Sequence, residues 1–393
     1  MPDYRYLIIG GGMTADAAVR GIRELDSSGS IGVIGAEQDP PYARPPLSKA
    51  LWKGDPFDSI WKRTEETSAE LHLGKSVTRL DPERKMAKDD RGTSYGFERV
   101  LLATGGSPRK LPFGGDNIIY YRTARDYHRL RELAAQKKSI AVIGGGFIGS
   151  EIAAALAMNG CPVTMMFPEP GIGARVFPSD LSAFLVDYYR EKGVDVRPED
   201  SAIDVIRHGS HVEITTRGGA HLTVDAVVAG IGITPNVELA TGAGLQLDDG
   251  IVVDDRLHAT YDHVFAAGDV ARFFNPALNT RMRVEHEDNA VTMGRAAGRS
   301  MAGDETPYTH LPFFYSDLFD LGYEAVGEMD PRTEIVADWK EQYRTGVIYY
   351  VTEGKVRGVL LWNVWGQVDM ARLLIGESEP MQAADLKGWI PTG

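Results

Sequence analysis

The sequence predicts an α/β protein with two parallel-sheet domains, the second inserted into the first, and a smaller α+β domain at the C-terminal end. Three observations carry that prediction. The stretches YLIIGGGMTADAAV (residues 6–19) and IAVIGGGFIGSEIAAAL (140–156) each set consecutive glycines between an apolar run and a helical repeat. The stretches ERVLLATG (98–105) and DAVVAGIG (225–232) close the two halves alike, with an acidic residue, an apolar strand and a final glycine. The run TGVIYYVTEGKVRGVLLWNVW (345–365) is β-rich and turns near Glu353-Gly354, a hairpin signal.

The first element is a buried strand over residues 4–9, after which Ala15, Ala18, Val19, Ile22 and Leu25 recur at helical spacing. A βαβ turn needs one glycine for the bend, another for close approach of backbone amides to a pyrophosphate, and a small third residue for helix–strand packing. Gly10, Gly12 and Ala15 fill those places. The unpartnered N–H groups and the dipole at a helix N-terminus suit an anion there. A second strand over residues 31–34 leads to Glu37, whose carboxylate can accept from both hydroxyls of a ribose. The second copy repeats the pattern: a strand over 139–143, Gly144, Gly146 and Gly149, a helix through Met158, a strand over 163–167, and Glu169 in the place of Glu37. The two copies make an internal duplication of Rossmann-like units. Two dinucleotide sites imply two dinucleotides, and the chemistry that joins two is hydride transfer between nicotinamide and flavin.

Length and composition set the frame. At 393 residues, 43% apolar and 25% charged, the chain is an ordinary globular protein of more than one domain. A net charge of −13 argues against a sequence-independent grip on nucleic acid or anionic lipid. The one cysteine, Cys161, excludes an intrachain disulfide or a dithiol site; it is expected to be a buried structural thiol in a reducing compartment. Residues 141–167 hold a single charge, Glu151, but the glycines at 144–146 and Pro162 break the run, so no membrane span is expected. Met1-Pro2-Asp3 leads straight into a strand-like run, and with no export signal visible a cytoplasmic protein is expected.

The motifs GGGMTA, LLATGG, GGGFIGSE, GIGITPN and VFAAGDV, spread over residues 10–270, resemble the two-dinucleotide-binding flavoprotein family that includes glutathione reductase, the ferredoxin reductases of oxygenase systems and apoptosis-inducing factor. PPYARPPLSKALW, RVEHEDNAV, YSDLFDLGYEAVG and GVLLWNVW look most like apoptosis-inducing factor and its bacterial relatives, so the resemblance runs over almost the whole chain. It implies a glutathione reductase-like pair of domains: FAD bound by residues 1–112 and 250–306, NAD by 113–249, and a C-terminal interface domain over 307–393. It also implies that Gly10, Gly12, Ala15, Thr104 and Gly105 lie near FAD, with Glu37 on its adenosine ribose. Asp269 would meet the ribityl and pyrophosphate, and Arg44 and Lys49 would put cations beside the anionic cofactor. Lys49 and Glu151 would form an ion pair beside flavin N5, and Phe147 would cover the flavin until nicotinamide displaces it. Glu285 and His286 would meet the isoalloxazine ring, with Tyr315 the aromatic near it. Gly144, Gly146, Gly149, Glu169 and Gly232 would serve the nicotinamide cofactor.

Glu169 predicts NADH over NADPH, because its carboxylate repels a 2′-phosphate, although Arg175 close by can soften that preference. The flavin domain has no cysteine, which closes disulfide reduction and leaves a ferredoxin-like protein, a quinone or oxygen as acceptor. Arg272, Arg281 and Arg283 are candidates for a local basic docking patch. The alternative is a redox-switched binding protein, in which NADH reduction and a persistent charge-transfer complex control homodimerisation or docking. The cluster EHED lacks His and Cys ligand spacing, so no metal is expected. VDMARLLI reads as a closing helix, Trp362 and Trp365 as sheet packing, and residues 376–393 as a loosely packed tail.

Overall fold

Strand-forming runs bounded by glycine turns assemble into two units in the computed structural model, which describes residues 1–377 and 379–392. One unit comprises Met1–Arg44, Phe57–Ser107 and Thr234–Pro312; the other comprises Pro45–Pro56, Pro108–Ile233 and Phe313–Gly393.

In the first unit, Asp3–Ile9 is the central strand of a parallel array, with Ile31–Gly35 on one side and Ser94–Leu102 on the other. Glu70–Leu73 extends the array beyond Ile31–Gly35, and Val264–Ala266 joins Ser94–Leu102 in parallel. Met86–Asp89 and Val77–Asp81 add an antiparallel edge. Leu7, Ile8, Val33, Val100 and Leu101 are fully buried, as expected of a parallel sheet covered on both faces. Each such side chain contributes about 1.5–3 kcal/mol. Helix Met13–Leu25 lies against helix Glu287–Met301 closely enough that a Cβ on Gly298 would fall 2.0 Å from the Ala18 carbonyl oxygen. The last position of the apolar helical pattern, Leu25, faces solvent: the burial stripe ends at Ile22, one turn earlier than the sequence predicts.

The second unit repeats the parallel plan in the order Val194–Arg197, Val163–Met166, Ile140–Ile143, Ala226–Ala229, Ile118–Tyr120. A three-stranded antiparallel sheet, Ala202–His208, His211–Thr216 and His221–Val224, shares its core through Val205, Val212 and Ile214. Residues 45–52 form two short 3-10 turns in this unit. They are fixed by the Trp52 indole N–H on the Leu47 carbonyl (2.7 Å), by the Tyr121 hydroxyl on the same carbonyl, and by edge contact of Trp52 with Tyr127.

The C-terminal part is a five-stranded antiparallel sheet ordered Phe313–Leu318, Leu321–Gly327, Lys355–Trp362, Thr345–Thr352, Glu334–Glu341, followed by helix Val368–Gly376. The expected hairpin turns at Glu353 (φ 53°) and Gly354 (φ 74°), the doubly left-handed geometry that suits strand twist. Trp362 is fully buried and stacks on Tyr323 at 5.7 Å, and Trp365, 51% exposed, lays its ring edge on the sheet at Gly322, where a Cβ would fall 2.8 Å from it. The described part of the tail is also better packed than its composition predicts: helix Ala383–Leu386 buries Leu386, and Ile390 is buried beyond it. The Gly388 amide donates to Asp338 at 2.7 Å. Ser378 and Gly393, also in that expected tail, lie outside the described residues.

Candidate functional site

The two glycine turns have the same internal construction. Gly10 (φ +130°) sits where a Cβ would lie 2.0 Å from the Ala103 carbonyl oxygen, and Gly144 (φ +120°) where it would lie 2.4 Å from that of Gly230. Ala103 and Gly230 occupy equivalent places just past the two closing strands, so the duplication extends to the contact that forces each bend. Only glycine satisfies both the positive φ and the close approach. The second glycines, Gly12 and Gly146, are the N-caps of helices Met13–Leu25 and Phe147–Met158. Neither cap receives a side-chain hydrogen bond, and a Cβ on either would meet nothing within 4 Å. Each helix thus presents its positive end to open space, the cradle that a pyrophosphate fits. At the third place Ala15 is buried without conflict, whereas Gly149 allows no side chain, its Cβ position being 2.0 Å from the Gly144 carbonyl oxygen.

Within the first unit, Glu37 stands past the end of strand Ile31–Gly35, as the sequence predicts, and is already engaged. Its Oε1 accepts from Arg44 at 2.5 Å and its Oε2 from the Tyr42 hydroxyl at 2.6 Å. The Arg44 guanidinium also lies 5.0 Å over the Tyr42 ring and feels the charge of Asp269. Each carboxylate oxygen retains acceptor capacity for a ribose hydroxyl. Tyr42 escaped the sequence reading, although it stands two residues before Arg44. Asp269 lies in the 3-10 turn Gly268–Val270, beside the first turn of helix Met13–Leu25, since a Cβ on Gly268 would fall 2.3 Å from Thr14 Oγ1.

Arg283 donates to the Asp269 carbonyl at 3.1 Å and to Glu285 at 2.6 Å. Arg272 pairs with Asp248 at 2.8 Å, and Arg281 donates to the Val253 carbonyl. Arg283, with its side chain 8% exposed, and Arg272, paired with Asp248, are structural ties, whereas Arg281 is exposed and bound only to a neutral carbonyl. His286 is the N-cap of helix Glu287–Met301. Thr104 and Gly105 are clasped by Asn236: Thr104 donates its hydroxyl to the Asn236 carbonyl at 2.8 Å, and the Gly105 carbonyl accepts from the Asn236 amide at 3.0 Å.

Within the second unit, Lys49 and Glu151 pair at 2.8 Å, with side chains 10% and 2% exposed. Glu151 lies one turn into helix Phe147–Met158 and accepts two further hydrogen bonds, from Ser48 and Ser316. Burial first, and then the charge of Glu151, push the hydroxyls of Tyr189 and Tyr323 well above the usual phenol range, so both stay neutral. The Tyr315 ring lies 5.2 Å from Lys49 Nζ. Phe147, half-buried, packs on Phe314 at 5.0 Å, a neighbour that no motif in the sequence marks. Glu169 pairs at 2.6 Å with Arg175, which is 79% exposed. Gly232 (φ +91°) accepts from the Arg109 amide at 2.9 Å. Cys161 is a buried free thiol whose pKa is pushed up by burial.

Comparisons with known proteins agree with this architecture. Residues 4–294 match the family described as pyridine nucleotide-disulphide oxidoreductase, and residues 332–377 match the C-terminal part of mitochondrion-associated apoptosis-inducing factor. The chain belongs to the pyridine nucleotide-disulphide oxidoreductase family of FAD-dependent NAD(P)H oxidoreductases. It is 32% identical to a Drosophila melanogaster protein named putative apoptosis-inducing factor 1, mitochondrial, over 95% of this chain but only 63% of that protein. It is also 32% identical to the ferredoxin–NAD(+) reductase component of the Burkholderia cepacia anthranilate 1,2-dioxygenase system, over 97% of both chains. A crystal structure of the covalent putidaredoxin reductase–putidaredoxin complex superimposes with a TM-score of 0.91 at 28% identity, covering 98% of this chain and 96% of that one. Among the described residues no helix is long and apolar enough to cross a membrane.

Proposed function

We propose that this protein is an NADH-dependent, FAD-containing reductase that passes electrons to a ferredoxin-like protein. The observation that carries the reading is the buried Lys49–Glu151 pair beside the open N-terminus of helix Phe147–Met158. Bound FAD would supply the redox chemistry, taking at N5 the hydride that nicotinamide C4 of NADH would give up. The residues of the chain then bind, orient and screen. In this reading FAD is held by a domain of residues 1–112 and 250–306. The amides around Gly10, Gly12 and Ala15 face its pyrophosphate, Glu37 and Arg44 its ribose, and Thr104, Gly105, Asp269, Glu285 and His286 line the rest. A domain of residues 113–249 holds NADH through Gly144, Gly146, Gly149, Glu169 and Gly232. Lys49, held by Glu151, orients the nicotinamide electrostatically without making bonds. Phe147 and Tyr315 keep water from the exchange.

Glu169 favours NADH. Its carboxylate accepts the bare ribose hydroxyls, and Arg175, paired with it, lessens the penalty for a 2′-phosphate. The electrons must leave the chain, because its one thiol is buried and unpaired. The reductase relatives support an iron–sulfur protein as the acceptor. A free thiol fits a reducing, cytoplasmic compartment. The likeness of residues 332–377 to apoptosis-inducing factor keeps a second reading beside the first, a redox-switched binding protein in which reduction by NADH and a charge-transfer complex control homodimerisation or docking.

Both readings are tested by mixing the NADH-reduced protein with a [2Fe–2S] ferredoxin, a quinone and oxygen in turn, and by sedimentation with and without NADH. Fast reoxidation by ferredoxin alone is the expected result. Slow reoxidation by every acceptor, with NADH-dependent association, would replace the first reading by the second.

A further inference from the structure

Glu151 receives more donors than an ion pair requires. Lys49 Nζ and Ser316 Oγ address Oε1 at 2.8 and 2.6 Å, and Ser48 Oγ addresses Oε2 at 2.5 Å. Ser48 and Ser316 lie 103 and 165 residues from Glu151 in sequence, so the Pro-rich turn, the helix after the second glycine turn and the first strand of the C-terminal sheet converge on one carboxylate.

Neither serine is a surface hydroxyl: Ser48 is 6% and Ser316 1% exposed. A buried serine hydroxyl is commonly satisfied by a carbonyl of its own helix, as Ser150 is by Gly146 and Phe147. Ser48 has only a long contact of that kind, 3.4 Å to the Pro45 carbonyl, and spans the fold to Glu151 instead. Ser316 is placed by the ladder, where it pairs directly with the fully buried Tyr323, and its neighbour Tyr315 puts a ring 5.2 Å from Lys49 Nζ. A carboxylate held by one flexible lysine can turn about its last bond and carry the ammonium with it. With two donors on one oxygen and a third on the other, supplied by two segments far apart in sequence, residues 48–49 and Ser316, it has one orientation.

We propose that Ser48 and Ser316 are positioning residues that fix the Glu151 carboxylate and, through it, the Lys49 ammonium at the nicotinamide site. The C-terminal sheet is then part of the hydride-transfer machinery. This rests on the role given to Lys49 and Glu151 above.

The test uses the FAD-loaded protein with Ser48→Ala, Ser316→Ala and Ser316→Thr, and with Glu151→Ala as control. The first readout is acetylation of Lys49 by acetic anhydride, measured by peptide mass spectrometry against exposed Lys355. The second is the rate of flavin reduction at saturating NADH. Either alanine variant is expected to raise Lys49 labelling and to lower the reduction rate, each by about tenfold, as for a lost hydrogen bond to a charged group. NADH affinity stays unchanged, and Ser316→Thr, which keeps the hydroxyl, restores both values. Unchanged Lys49 labelling in the serine variants, with a rise in Glu151→Ala, overturns the inference and leaves the ion pair standing. No change in Glu151→Ala either overturns the ion-pair reading itself. Failure of Ser316→Thr to restore what Ser316→Ala lost assigns the effect to packing and also overturns the inference.

Discussion

Replacing Glu151 by alanine removes the acceptor for three donors at once. The Lys49 ammonium, 10% exposed, loses its counter-ion, and Ser48 and Ser316 lose their partner. Breaking one side of a buried pair costs about 3–5 kcal/mol of stability, most of it from the charge left behind. Lys49 relieves part of that by swinging away or by admitting water. Either response takes the cation out of position, and the loss of one fixed charged hydrogen bond, about 1.5–3 kcal/mol, slows reduction by about 10- to 100-fold. Glu151→Gln separates the two effects, because it keeps the shape and one acceptor oxygen while removing the charge; its reduction rate should lie between wild type and alanine. The assay is anaerobic stopped-flow at saturating NADH, following flavin absorbance near its long-wavelength maximum. A Glu151→Ala rate within about twofold of wild type, less than 0.5 kcal/mol, would refute the reasoning.

Four further outcomes are expected. Gly12→Ala, which meets no protein atom, keeps the melting temperature but loses FAD on gel filtration, whereas Gly10→Ala, whose Cβ falls 2.0 Å from a carbonyl oxygen, lowers the melting temperature. Glu169→Ala lowers kcat/KM for NADH by about tenfold and narrows the gap to NADPH; a variant still as selective as wild type would remove Glu169 from the ribose site. Cys161, buried with its thiol pKa raised, resists iodoacetamide in the native protein, and Cys161→Ala leaves turnover unchanged. The Asp26 carboxyl is held at about 2 by the Gly29 and Ser28 amides, with help from Tyr6 and Arg5. Its folded value lies below its unfolded one, so its stabilisation is full above about pH 4 and is lost as pH falls towards 2. Asp26→Asn should therefore lower stability at neutral pH and flatten the acid limb of a denaturation curve.

The elements legible in the sequence are those whose cause is local. The two glycine turns follow from a bend, a close approach and a helix start within about ten residues, and the hairpin at Glu353-Gly354 from two residues that tolerate positive φ. What escaped is set by distant partners. The serines on Glu151 come together only through tertiary structure. Tyr42 and Arg44 reveal their attachment to Glu37 only when the chain folds back. Arg272 and Arg283 stood among the candidates for a basic docking patch because their acceptors, Asp248 and Glu285, are not marked as such in the sequence. The tail looked loose because apolar residues scattered among polar neighbours, Leu386 and Ile390 among them, do not show which surface they cover.

The most direct measurement mixes FAD-loaded protein with one equivalent of NADH in the absence of oxygen and records the visible spectrum. Tight binding of one FAD per chain, with rapid loss of the oxidised flavin absorbance on adding NADH, is the predicted result. A chain that takes up no FAD, or whose bound FAD keeps its oxidised spectrum in excess NADH, would contradict the account.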